Sequence, residues 1–196
     1  MRRPLKIALL VLVVLVLSGG LLLWSTVRRG FSTHDEPSWM EARIARSLRH
    51  WSTPADLRDA RNPLPLTPQV MTEARAHWAD HCASCHGNDG KGKTAIGENL
   101  YPRAPDMTLP ATQELSDGEL FAIIENGIRL TGMPGWGNGT AESAYGSWGL
   151  VHLIRHLPEL TPEELAGMEA LNPKTPEEWQ QMQAEEAFLS GETEQP

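Results

Sequence analysis

The chain opens on a long apolar run and then changes character. From Ile7 to Val27, 21 consecutive positions carry no charge, and Leu and Val dominate them. As a helix at about 1.5 Å per residue this run reaches roughly 31 Å, enough for a hydrocarbon core of about 30 Å. Beyond it the apolar positions recur at helical spacing. Ser38 with Glu41 reads as a capping box opening a helix toward His50. Thr67-Pro68 starts another, with proline at the first helical position, running through Val70, Ala74, His77, Trp78 and His81. Ser116 with Glu119 is a further capping box, followed by Leu120, Phe121, Ile123, Ile124 and Ile128. A last core helix is expected near Ser143 to Leu157, carrying Trp148, Val151, Leu153 and Ile154. No alternating segment reads as a strand, so the predicted class is all-α.

The breakers divide the chain into four parts. Residues 1–30 form the apolar N-terminal segment. A cleaved signal peptide is its alternative reading, but that apolar region is usually shorter, about 7 to 15 residues. No clear small-residue cleavage pattern stands near Leu17 to Thr26, with Gly19-Gly20 the nearest approach to one. An uncleaved transmembrane anchor is therefore expected. Residues 31–66 read as a connector, broken by Pro54, Pro63 and Pro65. Its Trp39, His50 and Trp51 are expected to pack against the neighbouring domain or to fold the spacer, in preference to forming a docking or membrane-interface surface. Residues 67–157 form the compact domain, with glycine- and proline-rich loops at Gly87 to Pro110 and Thr131 to Gly139. Residues 158–196 form an acidic helical extension. Thr161-Pro162-Glu163-Glu164 and Thr175-Pro176-Glu177-Glu178 are near-identical helix starts, expected to open short solvated helices, with the last six residues disordered.

Charge sharpens the division. After Gly30 there are 12 basic and 25 acidic residues, a net of −13, whereas the first 30 residues hold five bases and no acid. An acidic surface argues against nucleic-acid binding, which needs a basic footprint, and fits transient docking on a basic protein face.

The chain has two cysteines, and both lie in Cys82-Ala83-Ser84-Cys85-His86. C-x-x-C-H is the attachment pattern of c-type haem. The spacing has a mechanical reason. Each thiol adds to one porphyrin vinyl group, the vinyls sit on neighbouring pyrroles, and the following histidine is then placed beneath the iron. A thioredoxin-type dithiol would want a βαβ setting, and a zinc site would need a further Cys or His pair. His77 and His81 lie on the preceding helix and do not supply one. One covalent haem c is therefore expected, on Cys82 and Cys85, with His86 as the proximal iron ligand.

The distal ligand is expected to be Met133, in Gly132-Met133-Pro134-Gly135-Trp136-Gly137, a tight loop 47 positions after His86. Met107 is a competitor, expected instead to pack at the haem edge; His152 or His156 would give bis-histidine ligation. Arg103 reads equally as a propionate partner or a solvated cation, and Lys91 and Lys93 as solvated loop lysines.

Residues 67–157 resemble a class I cytochrome c domain. They are similar to the short domains of oxidase and dehydrogenase subunits. The resemblance rests on Cys82-Ala-Ser-Cys-His86-Gly87, on Leu115-Ser-Asp-Gly-Glu-Leu-Phe-Ala-Ile-Ile-Glu-Asn-Gly127, on Gly132-Met-Pro-Gly-Trp136, and on Trp148-Gly-Leu-Val-His-Leu-Ile154, in family order. It implies three main helices round a haem, the first and last crossing through Ala74 and Trp78, with Leu150 and Leu153 as partners. It further implies an electron carrier, not itself an enzyme, exchanging single electrons with redox partner proteins. Because this haem is attached outside the cytoplasm, a single-pass anchor in a bacterial cytoplasmic membrane is expected, with the domain on the periplasmic side. A fixed place in a membrane oxidoreductase complex is the alternative.

Overall fold

A computed structural model of the chain describes residues 2–30 and 32–190. It divides into two units, Met1–Glu36 and Pro37–Pro196. The first is built on helix α1 (Arg2–Arg29). Its long apolar side chains from Ile7 to Val27 are exposed, and the segment Arg3–Arg28 is long and apolar enough to cross a membrane. The polar groups within it are already satisfied: the Ser18 hydroxyl donates to the Leu15 carbonyl at 3.1 Å and Thr26 to Leu22 at 2.9 Å. That matters for a helix in hydrocarbon, where water cannot supply the missing partner. Near the far end the Arg28 guanidinium lies 4.5 Å from the Trp24 ring centroid.

The second unit begins with α2 (Trp39–Ser52) and α3 (Ala55–Arg58). Ser38 caps α2 by accepting from the Glu41 N–H at 3.2 Å. Only this half of the expected capping box forms, because the Glu41 carboxylate instead accepts the Tyr101 hydroxyl at 2.6 Å. From Pro37 on, the connector is part of the second unit's folded body. Gly118 lies so close to the Leu57 carbonyl that a Cβ there would fall 1.6 Å from the oxygen. The Asn62 side chain donates to the Trp148 carbonyl at 2.8 Å, and His152 Nε2 donates to the Leu64 carbonyl at 2.9 Å. The expected packing of Trp39 and Trp51 is not seen: they are 77% and 73% exposed. The face of α2 turned to the body carries arginines, so its apolar stripe points away.

The core is three helices: α4 (Pro68–His77), α7 (Asp117–Asn126) and α8 (Ala141–His156), with short α5 (Ala83–His86) and α6 (Pro110–Gln113) between them. Thr67 caps α4 and the full Ser116/Glu119 box caps α7. The main packing is α4 against α8. Ala74 and Trp78 sit at this crossing, 3% and 1% exposed, and Leu150 and Leu153 share the same core. The residue that directly faces Ala74 is Gly149, whose Cβ would meet the Ala74 Cβ at an ordinary 3.7 Å. Phe121 of α7 stacks on Trp148 of α8 at 4.2 Å between centroids. Arg155, near the end of α8, ties it to the start of α7, donating to Asp117 Oδ1 at 2.9 Å and to the Gln113 carbonyl at 2.7 Å.

The C-terminal extension departs from the solvated reading in its first helix. In α9 (Pro162–Ala170) Met168 is fully buried, and Glu164 pairs with both Arg75 and His156. Helix α10 (Pro176–Ser190) is solvated along its described side chains, as expected. The expected disorder of residues 191–196 lies outside the described residues.

Candidate haem site

Between these helices lies an apolar cleft that opens to solvent. Trp78, Leu120, Ile124, Leu150 and Ile154 form part of its wall. Cys82, Cys85, His86 and Met133 all line it, so the fold gathers onto one cavity every residue singled out by motif.

Helix α4 delivers the first three. It runs on through a wider π-type turn, Trp78–Cys82, into α5. The turn is fixed by Trp78, whose indole N–H donates to the Gly87 carbonyl at 3.0 Å while its ring lies 5.9 Å from that of His86. Gly87 ends α5 with φ +73°, a conformation that side chains rarely accept. The Thr94 hydroxyl donates to the Ser84 carbonyl at 2.8 Å and pins the following loop.

The protonation states suit the chemistry. Burial pushes the His86 imidazole down to about 4, so at neutral pH the ring is uncharged and a nitrogen lone pair is available to a metal. Its Nδ1 is sealed from water without a hydrogen-bond partner. A buried polar atom left so costs about 1–3 kcal/mol, a deficit that ligation or the rearrangement accompanying it can relieve. Burial, with help from Cys85, pushes the Cys82 thiol up to about 12. A thiol so hard to ionise is the opposite of a reactive redox dithiol. Among the described residues no group of three or more His, Cys, Asp or Glu side chains is placed to hold a metal ion.

Met133 is carried by the loop after α7. The carbonyls left over at the end of α7 accept from this loop: Trp136 N–H donates to Ile124 at 3.0 Å and Gly137 N–H to Glu125 at 2.9 Å. In return the Met133 carbonyl accepts from the Ile128 N–H at 3.1 Å. Contact is so close at Gly127 (φ +66°) that a Cβ there would fall 2.5 Å from the Pro134 carbonyl carbon. The competitors are placed differently. Met107 also lines the cavity but is buried in the core, its N–H donating to Gly90 at 2.8 Å. His152 is held by Leu64 and His156 by Glu164, and neither lines the cavity. Sequence reading passed over two further lining residues, Arg46 and Arg49 of α2. Their i, i+3 spacing put them on one helix face, but nothing in the pattern says what that face meets.

An imidazole, a thioether and two thiols round one apolar cleft fit a haem. Helices crossing as α4 and α8 do, with α7 carrying the loop opposite, are the frame of a class I c-type cytochrome domain. Residues 69–154 match the family model described as "Cytochrome C oxidase, cbb3-type, subunit III", and this stretch is a cytochrome c domain of that kind, which implies haem c and haem-based electron transfer. Among curated proteins none matches the chain.

Proposed function

We propose that the protein is a membrane-anchored, single-haem electron carrier whose haem c is bound covalently through Cys82 and Cys85 and ligated by His86 and Met133. The observation that carries this reading is the convergence of these side chains on one apolar cavity. When bound, the haem supplies a one-electron iron couple, its potential raised by a thioether ligand. The chain's own residues hold and tune it. Cys82 and Cys85 would hold one edge of the haem through thioether bonds. His86, uncharged, would give the proximal nitrogen, and the loop pinned on α7 would present the Met133 sulfur. With His86 and Met133 both holding the iron, the chain would pass electrons and would not itself act as an enzyme.

Helix α1 would hold the domain at a bacterial cytoplasmic membrane, on the periplasmic side where haem c is attached. Confinement there raises the effective concentration at membrane redox partners. The oxidase-subunit description of the matched family favours a second reading, a fixed subunit of a membrane oxidoreductase. Mild detergent extraction separates the two: a carrier comes out alone and a subunit with its complex.

Purified protein should retain its pigment in acidified organic solvent, whereas a Cys82→Ala/Cys85→Ala variant should release it or fail to hold it. Met133→Ala should abolish the weak red absorption of methionine-bound ferric haem, and Met107→Ala should leave it. Pigment released from the native protein, or a red band unmoved by Met133→Ala, overturns the reading.

A further inference from the structure

The charge around the cavity runs against that of the domain. Residues 31–196 carry a net of −13. Yet no Asp or Glu lines the cleft, and its permanently charged side chains are Arg46, Arg49 and Arg103. The first two come from α2, outside the matched stretch 69–154, so the family assigns them nothing.

Helix α2 is held in place by contacts unrelated to a ligand. His50 Nδ1 lies 2.7 Å from Glu119 Oε1, and the Glu41 carboxylate accepts the Tyr101 hydroxyl at 2.6 Å. Arg58 Nη1 donates to the His50 carbonyl at 3.2 Å. These set Arg46 and Arg49 on the cavity wall. Neither guanidinium donates a hydrogen bond to protein among the described residues. Arg49 is half-buried, and both its burial and the neighbouring Arg46 charge push its pKa down, against the opposing pull of Glu119. Arg46, exposed, and Arg49, half-buried, thus set two like charges on one helix face at the cavity wall, an arrangement suited to anionic oxygen.

We propose that Arg46 and Arg49 bind the propionate carboxylates of the haem, so that the connector helix is a clasp of the cofactor and tunes its potential. This rests on the haem reading above. Guanidinium charge beside the propionates offsets their negative charge, disfavours the more positive ferric state and so raises the reduction potential. It also keeps both carboxyl groups ionised through the neutral range, leaving the potential flat with pH there.

The test is a redox titration of the full, detergent-extracted, haem-loaded chain between pH 5 and pH 8, as native protein and as Arg46→Gln/Arg49→Gln. The double variant should be about tenfold harder to reduce, equivalent to about 59 mV for one electron. Its potential should fall with rising pH across a range where that of the native protein is flat. The axial-ligand spectrum should not change. Arg46→Lys/Arg49→Lys, which keeps the charge, should restore most of the potential. Arg43→Gln, which removes one charge from α2 away from the cavity wall, should shift it by far less than half as much as the double Gln variant. A double variant whose potential and pH profile superimpose on those of native protein overturns the clasp, as does a shift half as large or larger from Arg43→Gln. A native chain that binds no haem would instead overturn the reading beneath it.

Discussion

At the scale of single residues, the site depends on a few positions where backbone geometry leaves no choice. Gly127 is the sharpest. It has φ +66°, and any Cβ would collide with the Met133-Pro134-Gly135 backbone, 2.5 to 2.6 Å away. Gly127→Ala must therefore push the methionine loop off the end of α7. We expect a loss of about 1–3 kcal/mol in unfolding free energy. The red ferric band should weaken at the same time, since the loop and the sulfur move together; thermal melts and optical spectra of the same sample check both. A stability loss with an unchanged band would mean that Met133 is positioned independently of Gly127. Gly149 offers a contrast on α8, since the space beside it takes a Cβ at ordinary contact distance.

At the scale of elements, the capping residues and helical periodicities located α4, α7 and α8 to within a few residues, because those signals are local. Thr67-Pro68 and Ser116/Glu119 do on the page what they do in the fold. What stayed hidden was long-range. Ser38 caps α2 as expected, but Glu41 is taken by Tyr101, a partner 60 positions away that no local rule anticipates. The pattern of α2 is amphipathic, which predicts a buried apolar stripe; the structure turns Arg46 and Arg49 to the cavity wall instead and leaves Trp39 and Trp51 exposed. In α9 the sequence shows acids matched to a helix start, and only the fold brings Arg75 and His156 to Glu164. That pairing has a pH signature. The Thr161 N–H, the His156 ring and the Arg75 charge hold the Glu164 carboxyl down at about 2, below its ordinary 4.5. A depressed carboxylate stabilises the fold fully above about pH 4.5, and the contribution is lost as pH falls from there toward 2. Glu164→Gln should therefore lower stability by about 1 kcal/mol at pH 7, with the gap to native protein closing by pH 2–3. Denaturant titrations at several pH values measure this, and a gap independent of pH would place the effect in packing alone.

At the scale of the whole molecule, two fields of opposite sign meet at the haem cleft. The domain as a body is acidic, with 25 acids against 12 bases after Gly30, while the cavity wall carries arginines and no carboxylate. Salt separates the two by range. At about 0.01 M ionic strength charges act over roughly 30 Å, so an approaching oxidant senses the whole acidic body; at about 0.15 M the reach is about 8 Å and only the cleft mouth counts. If the propionates occupy Arg46 and Arg49, the mouth is close to neutral. A small cationic oxidant should thus react faster than an anionic one of similar driving force at low salt, by roughly tenfold or more given the steering that multi-charge fields provide. That preference should shrink severalfold by physiological salt without inverting. Stopped-flow oxidation of the reduced, detergent-extracted protein over this range of salt measures both rates. An anionic oxidant favoured at low salt would mean that the arginine wall, not the acidic body, governs approach, and that the cleft's positive charge stands uncompensated by the cofactor. Loss of cation preference in Arg46→Gln/Arg49→Gln is not expected, since removing positive charge from the mouth can only strengthen it; a weakened preference would count against electrostatic steering altogether.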